Sequence, residues 1–171
     1  MKKPYSRYKW ICGLLALTSQ VWASEPFQLN FEKGTAKFKF ADTPKVIEYS
    51  IEYPKNCANL VKVSLKKNSA AFKQSGQHCP TGAIINVTLS KSLSYDIQHG
   101  GGMLIFDQTQ DWYQSFKSIT AKSMGGLIQS NVEAISSNNN WGQPEAHYIN
   151  QQASSKPSLN MYLMGGVIQF I

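Results

Sequence analysis

The sequence is poor in arginine, in acids and in charge altogether. Arg7 is its one arginine, and Asp and Glu together number 10 among 171 residues. Charged side chains make up 16%, below the quarter usual for soluble domains. Arginine supplies the forked contacts that phosphates and base edges take, so this composition excludes a nucleic-acid binder. Low charge with 42% hydrophobic residues excludes a chain disordered by self-repulsion. No apolar run approaches the roughly 20 residues that span a bilayer as a helix, which excludes a helical transmembrane segment. There is no Gly-x-Ser-x-Gly elbow, no phosphate loop and no dinucleotide fingerprint. The acids are scattered. Asp107 and Asp111 lie close together in a loop-like stretch, where such pairs face solvent, and Ser94, Asp96 and His99 share a short segment by composition alone. No residue is assigned a catalytic role, and the reading is of a non-enzyme without a cofactor.

What is present begins with an address. Lys2, Lys3, Arg7 and Lys9 precede the apolar run 11–17, and Val21-Trp22-Ala23 ends in a small residue before Ser24. A basic head, a short apolar centre and a small residue at the cut form a secretory signal peptide, with cleavage after Ala23. Residues 24–171 are then a single all-β domain. Cleavage removes four of the 17 basic residues, leaving 13 lysines against 10 acids. The expected location is the periplasm, the cell surface or the medium of a Gram-negative bacterium. Cys57 and Cys79 remain after cleavage, an even pair in an exported chain, and the expectation is a disulfide between them. His78 beside Cys79 leaves any metal ligand set incomplete, so no metal is expected.

The exported part reads as strands. Phe27-Gln28-Leu29-Asn30-Phe31 alternates apolar and polar, as does Ala36-Lys37-Phe38-Lys39-Phe40. The same period of two runs through 47–53, 61–66, 85–90 and 93–98, with Gly and Pro turns between. Residues 111–119 have apolar spacing suited to two helical turns, and Pro144 suits a helix start. Residues 136–140 read as a polar loop.

The most informative feature is an internal near-repeat. Met124-Gly125-Gly126-Leu127-Ile128-Gln129 recurs as Met164-Gly165-Gly166-Val167-Ile168-Gln169, with a weaker copy at Gly101-Gly102-Met103-Leu104. Each follows a strand-like segment. Glycine pairs permit positive φ and close backbone approach, which the corners of stacked β-coils require. Their unequal spacing suits coils joined by loops of different length. The fold expected is short antiparallel strands leading into a β-solenoid-like stack, with a β-sandwich as the alternative.

The segments Val87-Thr88-Leu89, Tyr95-Asp96-Ile97 and Gly100-Gly101-Gly102-Met103-Leu104, with the two later Gly-Gly strands, resemble the bacterial auto-adhesin family over residues 87–171. This chain has Met103, Leu127 and Val167 where the family has a polar residue. The resemblance implies an exported β-solenoid-like domain with no catalytic residues. A non-catalytic, adhesin-like envelope protein follows, acting through contacts with other envelope or surface proteins or as a subunit of a larger assembly. One alternative is a binding module or inhibitor that recognises a glycan or an exported protein. Its contact surface would be Trp112, Tyr113, Phe116, Trp141 and Tyr148, which lie in loop-like segments. A pilin-type subunit is a lesser alternative.

Overall fold

The computed structural model describes residues 25–54, 60–74, 82–106, 117–130, 136–138, 145–149 and 158–170. They form fourteen strands: β1 Phe27–Phe31, β2 Gly34–Ala41, β3 Ile47–Glu52, β4 Val61–Lys66, β5 Ser69–Gln74, β6 Ile84–Ser90, β7 Tyr95–His99, β8 Gly102–Phe106, β9 Ser118–Ser123, β10 Gly126–Ser130, β11 Ser136–Asn138, β12 Glu145–Ile149, β13 Ser158–Leu163 and β14 Gly166–Phe170. Sheet A runs β11-β12-β13-β9-β7-β1-β5-β4, and sheet B runs β14-β10-β8-β2-β6-β3.

Five successive strand pairs, β1–β2, β5–β6, β7–β8, β9–β10 and β13–β14, each place one strand in sheet A and the next in sheet B. Within each sheet these five are parallel and in register. Each pair is therefore one rung of a coil, and the rungs stack. This is the solenoid-like arrangement and not an antiparallel sandwich. It reaches well beyond residues 87–171, because β1, β2, β5 and β6 are rungs as well. The antiparallel strands sit at the two ends. β3 and β4 close one end against β6 and β5, while β12 and β11 extend sheet A past β13.

The helix expected from Pro144 onward is not formed by the residues that follow it: Glu145–Ile149 is a strand paired with β13. Ser136–Asn138, read as loop, is a short strand on its outer side. Both are short segments whose local preference is weak, and pairing with the neighbouring strand decides them.

The core lies between the sheets. In parallel register, inward residues of successive rungs stack into columns. Ala70, Leu29, Ile97, Ala121 and Met161 make one; Ile85, Ala36, Leu104, Ile128 and Ile168 make another. Aromatic residues fill the part between β1, β2, β5 and β8. Phe31 stacks on Phe72 at 4.8 Å between centroids, and Phe38 stacks on Phe106 at 5.0 Å. Burying each such ring contributes about 1.5–3 kcal/mol. Tyr95 is fully buried, and its hydroxyl donates to Val46 O (2.7 Å) and accepts from Ser90 N–H (2.8 Å). Burial holds that phenol protonated far above its ordinary range.

Candidate interaction surface

Every rung with a glycine corner turns in the same way. Sheet A strands end at Phe31, His99, Ser123 and Leu163; two residues follow; sheet B strands begin at Gly34, Gly102, Gly126 and Gly166. These four glycines pair in one column, with φ of 101°, 121°, 99° and 126°. Side chains of L-residues avoid that region. The space is also taken, because a Cβ on Gly126 would run into the carbonyl oxygen of Gly102, and one on Gly166 into that of Gly126. The preceding glycines differ. Gly101 has φ 149° and open space around it; Gly125 and Gly165 have neither positive φ nor a close contact under 3.4 Å. Corners are tied by backbone bonds from Met124 N–H to His99 O (2.9 Å) and from Met164 N–H to Ser123 O (3.0 Å).

Below the corner lies the column Phe72, Phe31, His99, Ser123 and Leu163. His99 is buried, with Nδ1 3.2 Å from Ser123 Oγ and Nε2 3.1 Å from Gly34 O. Ser123 Oγ donates to Gly125 O (2.9 Å). Desolvation lowers the His99 pKa below its ordinary value, and the Gly34 carbonyl acts in the opposite sense. Strand alternation sends Asp96 to the outer face while His99 points inward, so the two do not form an acid–base pair. The group is a corner brace.

The outer faces change character along the stack. On sheet B, β2 carries Lys37 and Lys39, and β3 carries Glu48 and Glu52. The strands β8, β10 and β14 carry no charge. Their outer column is Met103, Leu127 and Val167, continuing from Thr35 and Ile84. Exposed large hydrophobic residues among those described are Met124 (66%), Met164 (61%), Val167 (59%) and Tyr162 (36%). All four lie on the last two rungs. Tyr162 is on the outer side of sheet A, the methionines at the corner and Val167 on sheet B, so the belt wraps around the end of the stack.

Of the residues proposed from sequence, Cys57, Cys79, Trp112, Tyr113, Phe116 and Trp141 lie outside the described residues, and Tyr148 belongs to β12. Sequence reasoning missed the belt. Its signal was the apolar residue next to each inward isoleucine, out of phase with the strand: Leu127 beside Ile128, Val167 beside Ile168. Among the described residues no group of three or more His, Cys, Asp or Glu could hold a metal ion, and no helix is long and apolar enough to cross a membrane.

No family model matches this chain, and no curated protein matches it. Two solved structures are similar at low identity. A "putative cell adhesion protein" from Clostridium sporogenes is 13% identical with a TM-score of 0.47, covering 94% of this chain and 96% of its own. A "putative adhesin" from Bacteroides fragilis is 14% identical with a TM-score of 0.33, covering 72% of this chain and 59% of its own.

Proposed function

We propose that this protein is a non-catalytic, adhesin-like component of the bacterial cell envelope that works by binding other envelope or surface proteins. The observation that carries the reading is the apolar belt of Tyr162, Met164, Val167 and Met124 around the last rungs. Exposed apolar surface gathered at one end marks a contact site, whereas single exposed hydrophobics scattered over a surface do not. Export rests on the basic, apolar and small-residue order of residues 1–23. The core supports the same reading: its buried histidine braces a corner and is closed off from substrate.

The test is site-specific photo-crosslinking in intact cells. A crosslinker at Met164 should capture a defined envelope protein, and one at Lys66, on β4 at the opposite end, should not. Equal capture from both positions, or none from Met164, removes the reading. Mature protein beginning at Ser24 in the exported fraction checks the address.

A further inference from the structure

We propose that His99, Ser123 and the Gly125–Gly126 peptide form a proton-operated latch: when His99 takes up a proton, the Ser123 hydroxyl passes to the Gly125 carbonyl and fixes the corner that presents Met124 and Met164. This rests on the contact-protein reading above and names the regulation of that surface.

Three contacts in this corner each need a proton. His99 Nε2 lies 3.1 Å from Gly34 O, His99 Nδ1 lies 3.2 Å from Ser123 Oγ, and Ser123 Oγ lies 2.9 Å from Gly125 O. The two carbonyls only accept. A neutral imidazole brings one N–H and serine one O–H, so two protons serve three contacts. With the ring proton on Nε2 toward Gly34 O, bare Nδ1 and Gly125 O compete for the single serine proton. An imidazolium brings two N–H groups, and all three contacts are then made, each running the same way along the chain. Burial opposes the added charge, and the Gly34 carbonyl favours it. Among the described residues no charged group faces the ring. The inward residues of β1, β2, β8 and β9 are apolar apart from Ser123. Glu32 and Lys33 in the neighbouring corner and Lys122 on the outer side of β9 are exposed, and Asp96 is on the outer side of β7.

The effect has a route to the belt. Gly125 O and Gly126 N–H belong to one peptide, and that N–H donates to Gly165 O (3.1 Å). A single chain of contacts thus runs from Gly34 O through His99, Ser123 and this peptide to Gly165, crossing four consecutive rungs. Linked hydrogen bonds of this kind polarise one another. Both exposed methionines hang on the same pair, Met124 N–H on His99 O and Met164 N–H on Ser123 O. Nothing lies closer than 3.6 Å to a Cβ placed on Gly125, and nothing within 4 Å of one on Gly165. Hydrogen bonds therefore hold these two residues where packing does not.

The test follows the His99 ring and the methionine methyl groups by NMR in the full exported chain as the pH is lowered. The ring, Met124 and Met164 should share one transition, and Met103, on the outer side of sheet B, should not take part. In Ser123→Ala the imidazolium loses the acceptor for Nδ1–H, so the ring midpoint should move to lower pH and the methyl transitions should vanish. A ring midpoint that rises in Ser123→Ala shows the serine serving only the neutral ring and overturns the proposal. So do methyl groups that ignore the ring, or a chain that unfolds before His99 is protonated. Photo-crosslinking from Met164 in cells held above and below the ring midpoint should capture more partner below it in the parent, and equal amounts in Ser123→Ala. Equal capture in the parent, or a pH effect that survives in Ser123→Ala, removes the latch and leaves the contact reading standing. No capture at either pH removes the contact reading, and its regulation with it.

Discussion

Gly126 lies directly beside Gly102, and the carbonyl oxygen of Gly102 occupies the space in which a Gly126 side chain would start. The same relation holds between Gly166 and Gly126. The corner is thus a column of backbone on backbone, and its glycines are set by two independent constraints, conformation and space.

Gly126→Ala should destabilise by about 1–3 kcal/mol from the strained φ alone, with the displaced Gly102 strand adding to it. Gly165→Ala should change stability little, because Gly165 has ordinary φ and nothing within 4 Å. Urea midpoints of the two variants against the parent check this, and a Gly165→Ala loss equal to that of Gly126→Ala contradicts the assignment.

Stability should fall in mild acid through His99. Burial lowers its pKa in the folded state, so the unfolded chain, at about 6.5, takes up the proton more readily. The His99 contribution is complete above pH 6.5 and shrinks as the pH drops below it, by at most about 1.4 kcal/mol per pH unit for one proton. Denaturation at pH 7.5 and pH 5 should show a smaller loss for His99→Leu than for the parent.

Tyr95→Phe should cost about 1–3 kcal/mol. The ring stays, but Ser90 N–H loses its buried acceptor and Val46 O its donor. A Tm equal to that of the parent refutes the role given to this hydroxyl.

Cys57 and Cys79 should be bridged in exported protein. They lie on connections that leave β3 after Glu52 and β5 after Gln74, and enter β4 at Val61 and β6 at Ile84. The strand ends that flank them are paired, Glu52 with Ile84 and Val61 with Gln74. Thiol labelling of unfolded, non-reduced protein should find neither cysteine free, and replacing either should cost about 2–5 kcal/mol.

Strand content and the glycine corners were legible because both are local. Alternation in 27–31, 36–40 and 85–90 needs only one half-buried face, and a Met-Gly-Gly-aliphatic-Ile repeat announces its own corner. Lys33-Gly34 reads in sequence as an ordinary turn, and its place in the corner column was hidden because that rung turns through Glu32-Lys33-Gly34, with a single glycine. Only the third corner position carries the positive φ shared by all four rungs, so the repeat never required a pair. Glu145–Ile149 and Ser136–Asn138 carry no decisive pattern of their own, and their strands exist because β13 offers an edge.

Composition and pattern thus determined an all-β chain with glycine-cornered coils. The order of the rungs was decided only by tertiary structure. β1–β2 lies inside the stack, between β5–β6 and β7–β8, and nothing in local sequence says on which side a later coil will settle. Alternation says which residues share a face of a strand, but not which neighbour covers it. Met103 and Val167 hold the same position in the repeat. One lies inside the sheet beside β2, half-buried; the other stands at the end of the stack with no described strand beyond it. Their different exposure, and with it the proposed contact surface, comes from rank in the stack, a property of the assembled coil that no single rung encodes.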